Sequence, residues 1–343
     1  MLSIGQGLKT GNDTSASFSD DLANPIVIIS YQGRNWSLFV TIFMTITVNK
    51  LITIIIPCYN SAQTIGTCLR AIYRSGYPHY EVIVVDDHSS DESRHIVQQY
   101  PCQLISLPQH RGAGYARNAG AEASHGEILF FTDADCVLQK NTLQIVADTM
   151  ATVDTNVIVG GTYTKRPYDN NFFSRFQSLF IHYAETKHAV SPDYIATHAQ
   201  AMYARLFKHH EGFTNQVFPI LEDVEYSHRL KRAGVKLIIN PELQVKHIFN
   251  FSFLRSIQNA IRKTRFWTTY SLRNKDLLAD SGTASHELKI NTLAFALMAI
   301  LLILFTATNN NLYMASVLAL VTINIGVNCL LYTSDAADEY NPV

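Results

Sequence analysis

Charge is scarce in this sequence. Asp, Glu, Lys and Arg make up 16% of its 343 residues, against about 25% in ordinary soluble domains, while 47% are hydrophobic. A chain so short of charge is expected to leave part of itself in lipid. Neither sign is in surplus: 27 basic and 28 acidic side chains leave a formal net charge of -1. This argues against a general nucleic-acid binder, which carries a strong basic excess. Cysteine is sparse as well, and Cys58, Cys68, Cys102, Cys136 and Cys329 stand at no paired spacing. Neither a zinc cluster nor a disulfide framework is indicated, and a reducing, cytosolic setting fits.

What is present divides into five stretches. Residues 1–47 open polar and end in a short apolar run, Trp36 to Val48, too short to span a bilayer unaided. Asp20 and Asp21 stand where a secretory signal needs positive charge. This extension is expected to be weakly structured and non-native, with Met44 as the true start. Residues 48–250 alternate apolar strands ("LITIIIPC", "YEVIVVDD", "CQLISL", "GEILFFTD") with helical patterns, the mark of βαβ units around a mostly parallel sheet. "SAQTIGTCLRAIYRSG" is expected to bury Ile65, Leu69 and Ile72 on one helical face, and Ser89 and Glu92 have the spacing of a capping box.

Residues 251–289 mix aromatics with Arg255, Arg262, Lys263, Arg265, Arg273 and Lys275. With "NNFFSRFQSLFIHYAETKH" they have the composition of interfacial helices, or of helices packed on the α/β domain. Residues 290–332 hold two apolar stretches, Ile290 to Ala307 and Leu312 to Tyr332, each near the ~17–25 residues that a spanning helix needs. A transmembrane hairpin is the expectation, and its basic flank places the α/β domain on the cytosolic side of the membrane. Residues 333–343 are expected to be an irregular tail.

The chemistry is expected at "FFTDADC". Asp133 and Asp135 follow a buried strand, and continued alternation points both carboxylates to one side. Two carboxylates ~4 Å apart repel by roughly 4 kcal/mol at an effective dielectric near 20, and a bound cation removes that cost. Oxygen ligands of this kind suit Mg²⁺ or Mn²⁺. Asp86 and Asp87 end the earlier strand likewise, at the carboxyl edge where open α/β sheets collect ligands.

"IIIPCYN", "VVDDHSSD", "GAGYARNAG", "FTDADC", the pair Gly212–Phe213, "LEDVEYSHRLKRAGVKL" and "VKH" occur in the order and spacing of the family 2 inverting glycosyltransferases. The likeness runs from about Leu51 to His247, and that family has the GT-A fold. The resemblance implies a nucleotide-sugar donor, UDP- or GDP-linked. It implies that Asp87 holds the nucleotide base, with Pro57, Tyr59 and Asn60 in the loop beneath it and Arg117 nearby. For Asn60, turn or capping chemistry serves equally. It further implies that Asp133 and Asp135 form the metal-binding pair, Asp135 as the more direct ligand, with His247 completing the metal or diphosphate site. Asp223 is implied as catalytic base, taking a proton from an acceptor hydroxyl as the nucleoside diphosphate leaves. Glu222 and the unusual Gln200 are placed on the acceptor side, although an acidic first turn on a helix also accounts for Glu222.

Two departures bear on the acceptor. Glu211 stands where a second glycine is usual, and "QNAIRKTRFW" lacks the Q-x-x-R-W block of processive synthases, so transfer of a single sugar to a lipid or lipid-linked saccharide is the expectation. A polyprenyl-phosphate sugar transferase and an inactive nucleotide-binding membrane subunit are the alternatives. A nucleotidyltransferase requires a glycine-rich basic loop, which "PCYNSAQT" is not.

Overall fold

The computed structural model describes residues 50–214, 220–275 and 285–338, together with three strands nearer the N-terminus. The chain divides into two compact units, Met1–Lys50 and Leu51–Val343. In the first, β1 (Thr14–Phe18), β2 (Ile26–Tyr31) and β3 (Ile42–Thr45) pair antiparallel in that order. Little structure was expected there, but "IVIISY" and "IFMT" are rich in residues that favour strands. Met44 lies within β3.

The second unit is α/β. Its elements are β4 (Ile52–Cys58), α1 (Ile65–Ile72), β5 (Tyr80–Asp86), α2 (Ser93–Val97), β6 (Gln103–Ser106), α3 (Ala113–Glu122), β7 (Ile128–Phe131) and β8 (Cys136–Leu138). There follow α4 (Thr142–Thr152), β9 (Val157–Tyr163), α5 (Phe172–Thr186), β10 (Gln200–Tyr203), α6 (Ala204–His209), α7 (Glu222–Arg232) and β11 (Lys236–His247). The chain then forms α8 (Phe253–Asn274), α9 (His286–Thr308) and α10 (Asn311–Asp338). The eight strands of this unit run in the order β6-β5-β4-β7-β10-β9-β11-β8.

The expected parallel core is β6-β5-β4-β7. Ile52, Ile54, Ile55 and Ile56 on β4 are wholly buried, as in a strand covered on both faces. The sheet as a whole is mostly parallel, as expected: β9 and β11 also pair parallel, while β10 runs antiparallel to both β7 and β9, and β8 antiparallel to β11. Ile65, Leu69 and Ile72 are buried on α1 as the helical spacing required. The Ser89–Glu92 capping box does not form. The Ser89 hydroxyl instead accepts the Asn60 N–H at 3.0 Å, and Asp91 accepts the Ser93 N–H at 3.0 Å, at the start of α2.

The basic aromatic segment becomes α8. Its C-terminal half packs on α7, where Phe266, Trp267 and Tyr270 meet Leu221 and Val224 and the Tyr270 hydroxyl lies 2.8 Å from His228 Nδ1. Its N-terminal half leaves Phe253, Leu254, Ile257 and Ile261 exposed. Among the described residues one helical segment, Leu288–Thr308 of mean hydropathy 2.3, is long and apolar enough to cross a membrane, where two were expected. Only 6% of its most apolar window is buried, so it is not a core helix. Among the described residues the apolar part of α10 is Asn311–Gly326, and Asn324 donates to Asn291 across the pair at 2.8 Å. Helix α10 continues to Asp338, into the stretch expected to be irregular.

Candidate active site

The carboxyl ends of β4, β5 and β7 open onto one cavity of about 590 Å³, with α7 and α8 contributing to its lining. Pro57, Tyr59, Asp87, Arg117, Asp133, Asp135, Glu222 and Asp223 all line it. Three expected site residues do not. Asn60, at φ 48°, accepts the Ser90 N–H at 2.9 Å and ties two strand tips together. Gln200 is fully buried in β10, where it donates to the Ile195 carbonyl at 3.2 Å. An acceptor has no route to it. His247 reaches the site from behind, its Nε2 3.4 Å from Asp135 Oδ2.

On the β5 side, Asp87 is 2% exposed and its carboxylate is fully engaged. It accepts the N–H groups of Arg111 at 2.7 Å and Gly112 at 2.8 Å, and His110 Nδ1 lies 2.8 Å away. The His110 ring stacks on Tyr59 with centroids 4.1 Å apart. Sequence reading missed His110, which is joined to Asp87 only by the loop that precedes α3.

Asp133 and Asp135 are not an extension of β7. The strand ends at Phe131, and the Cys136 N–H closes a turn on the Asp133 carbonyl at 3.0 Å. Both carboxylates nevertheless reach the cavity, and with the Cys136 thiol they offer ligand atoms within 4.8 Å of one another. Burial holds the thiol of Cys136 well protonated, and oxygen donors are what remain. Two such carboxylates fit a hard divalent cation. Desolvation in the recess, only partly offset by His247 and reinforced by Asp133, pushes the Asp135 carboxyl up. Burial depresses His247, against the pull of Asp135 and Asp133, which leaves its imidazole neutral near neutral pH.

Arg117 decides the layout. A solvated arginine was a possible reading of α3, but this side chain is 3% exposed. One nitrogen donates to Asp133 at 2.7 Å and another to Glu222 at 2.6 Å, which joins the β7 turn to the first turn of α7. Burial opposes the charge, and the two carboxylates outweigh it, so the guanidinium stays protonated. The neighbouring Asn118 clasps Phe213 through both backbone groups, at 2.7 and 2.9 Å. Gly212 beside it has φ 62°, and a Cβ there would lie 2.5 Å from Asn118 Oδ1, so the turn requires glycine. Glu211, where a second glycine is usual, also takes a left-handed φ of 57°.

Asp223 follows Glu222 on α7 and is not one of the two carboxylates that Arg117 bonds. Among the described residues its Oδ1 accepts only the Val224 N–H, at 2.9 Å. Desolvation and the adjacent Glu222 charge, opposed by Arg117, push its carboxyl up to about 7. That is the range in which a carboxylate is an effective general base. The cavity is also lined by residues that the motifs did not single out: Tyr163, Glu185, Tyr194 and His198. Lys263 and Trp267, expected on an interfacial or packed helix, line the cavity one helical turn apart. Their i, i+4 spacing was the available signal.

Residues 53–209 match the family model "Glycosyl transferase family 2". The glycosyltransferase GlyG of Streptococcus pneumoniae is 27% identical over 130 residues, 36% of this chain and 43% of that protein. The UDP-Glc:alpha-D-GlcNAc-diphosphoundecaprenol beta-1,3-glucosyltransferase WfgD of Escherichia coli is 32% identical over 98 residues, 28% of this chain and 39% of that one. The matched region thus spans less than half of either relative. The mannosyltransferase PcManGT of Pyrobaculum calidifontis, solved with GDP-Man and Mn²⁺, superposes with a TM-score of 0.49 at 21% identity, covering 80% of this chain and 86% of that one. Residues 53–209 are a glycosyltransferase segment, and they include Pro57, Tyr59, Asn60, Asp87, Arg117 and the Asp133–Asp135 turn. Glu222, Asp223 and His247 lie beyond it.

Proposed function

We propose that this chain is a membrane-anchored, metal-dependent inverting glycosyltransferase of the GT-A type, which moves one sugar from a nucleotide donor to a hydroxyl of a lipid-linked acceptor. One observation carries the reading. A base-range carboxyl, Asp223, shares a cavity with an acidic turn suited to a cation, and buried Arg117 ties that turn to Glu222, the chain neighbour of Asp223.

The β5 side receives the nucleotide. Tyr59 and His110 offer ring faces, Asp87 organises the loop that carries His110 and Gly112, and Pro57 borders the slot. Asp133, Asp135 and, behind them, His247 would hold Mg²⁺ or Mn²⁺, which supplies charge neutralisation for a departing diphosphate. Asp223 accepts the proton of the attacking hydroxyl. A phosphate acceptor is already ionised and would leave such a base without work, which favours hydroxyl transfer over the polyprenyl-phosphate alternative. WfgD, by its name, acts on a lipid diphosphate-linked sugar. With α9 as a membrane anchor and α8 basic at its flank, the catalytic unit stands on the cytosolic side.

The test is a thermal-shift titration of the detergent-solubilised full chain with UDP, GDP and their sugars, with and without Mn²⁺. Ligand at 100 times its dissociation constant stabilises by ~2.7 kcal/mol, a shift of roughly 5–10 °C for a unit of this size. The Mn²⁺-dependent part should vanish in Asp135→Ala. An unchanged shift in that variant would remove the metal from the proposal.

A further inference from the structure

We propose that Glu185 and His198 form a hydroxyl-reading pair for the acceptor sugar, with Tyr194 and Trp267 as the aromatic wall beside it. The inference rests on the glycosyltransferase reading and names the part of the cavity that takes the acceptor.

Glu185 and His198 are 9% and 5% exposed, yet both line the cavity. Glu185 comes from the last turn of α5, and His198 from the turn before β10. Thr162 donates to Glu185 Oε2 at 2.8 Å, and His198 Nε2 lies 3.5 Å from the same oxygen. That buried nitrogen makes this long ion pair but, among the described residues, no hydrogen bond of ordinary geometry. Tyr163 stacks on the imidazole at 4.0 Å and fixes its plane. A buried polar group held only at 3.5 Å keeps bonding capacity for a ligand hydroxyl. A carboxylate and an imidazole side by side match two neighbouring hydroxyls, one donating and one accepting.

The remaining wall agrees. Tyr194 and Trp267 present rings with centroids 5.7 Å apart, a surface suited to the apolar face of a sugar ring. Lys263, on the same helix as Trp267, also lines the cavity, where the charges of Asp223 and Glu185 act on it. These groups adjoin Asp223, while the nucleotide slot at Tyr59, Asp87 and His110 is built from β4, β5 and the loop before α3. The ligand is therefore a sugar ring with adjacent free hydroxyls, bound apart from the nucleotide. A site that pairs buried polar groups with hydroxyls rejects analogues that lack them strongly.

The chain has two tryptophans, Trp36 and Trp267, so a Trp36→Phe background makes emission report on Trp267. The detergent-solubilised full chain is titrated with methyl glycosides and disaccharides of glucose, galactose, mannose and N-acetylglucosamine, and with their deoxy analogues. At least one sugar should give a saturable change. Glu185→Gln should weaken it by about tenfold or more, as for loss of a buried hydrogen-bonding group, and should alter the ranking of deoxy analogues. UDP or GDP binding should persist in the same variant, which also shows that it is folded. If Glu185→Gln does not fold, His198→Asn poses the same question. The inference is overturned if nucleotide binds but no sugar changes the emission. It is also overturned if a saturating nucleotide sugar abolishes the response, because the pair then reads the donor sugar, or if both variants keep wild-type affinity and ranking. If nucleotide fails to bind as well, the broader reading falls with it.

Discussion

At the scale of single residues, the informative group is Asp223. Its carboxyl titrates near 7 because it is recessed beside Glu222, with Arg117 acting only partly against this. A base must be ionised to work, so turnover should fall as pH drops through about 7, giving an acidic limb in kcat/KM. The folded chain holds this proton more tightly than the unfolded chain, whose Asp titrates near ~3.9. Stability contributed by the protonated form is therefore present at low pH and lost as pH rises towards 7. Asp223→Asn should abolish turnover, by about 10²–10⁴-fold, while leaving donor binding intact. Above neutral pH it should also raise Tm, by about 2–4 °C for each kcal/mol of relieved charge burial. Rate profiles and calorimetry of the same two proteins check both halves. A variant that is inactive and less stable would contradict the assignment of a strained carboxylate.

At the scale of elements, α3 organises the site. Two successive side chains on it do different work: Arg117 bridges the β7 turn to α7, and Asn118 clasps the Gly212–Phe213 loop. Asp133 and Glu222 are thus fixed by one guanidinium rather than by their own strands and helices. Removing it strands two carboxylates. Arg117→Met should destabilise the unit by roughly 3–5 kcal/mol, read from the midpoint of urea unfolding. Arg117→Lys should recover only part of this, because a point charge does not reproduce two bonds in fixed directions. If Arg117→Met unfolds with the wild-type midpoint, the bridge is not structural.

At the scale of the whole molecule, α8 belongs to the catalytic unit by its packing and α9 does not. Tyr270 and Trp267 are built into the contact with α7, whereas most of Leu288–Thr308 is unburied. A chain ending after Lys275 should therefore keep nucleotide binding and cooperative unfolding, and should no longer require detergent. A chain ending before Phe253 should lose the α7 contact and one side of the cavity. Membrane fractionation and nucleotide-induced thermal shift distinguish these outcomes. If the chain ending after Lys275 still needed detergent, the exposed Phe253, Leu254, Ile257 and Ile261 would be the segment to examine.

Much of the framework was legible before any coordinates. The runs at β4, β5 and β7 are mostly β-branched or aromatic, so they specify buried strands locally, and the acids at the carboxyl ends of β5 and β7 follow by chain order. The Asp133–Asp135 pairing was legible too, though for the wrong geometric reason, since a turn and not strand alternation delivers both carboxylates. What only the tertiary structure decided were contacts between residues distant in the chain. Arg117 and Glu222 are 105 positions apart, and nothing local distinguishes a buried bridging arginine from a solvated one. The antiparallel insertion of β10, the burial of Gln200, and the gathering of Glu185, His198 and Trp267 around one cavity have the same origin. Periodicity reports which face of an element avoids water, but which partner covers that face is settled when the elements pack.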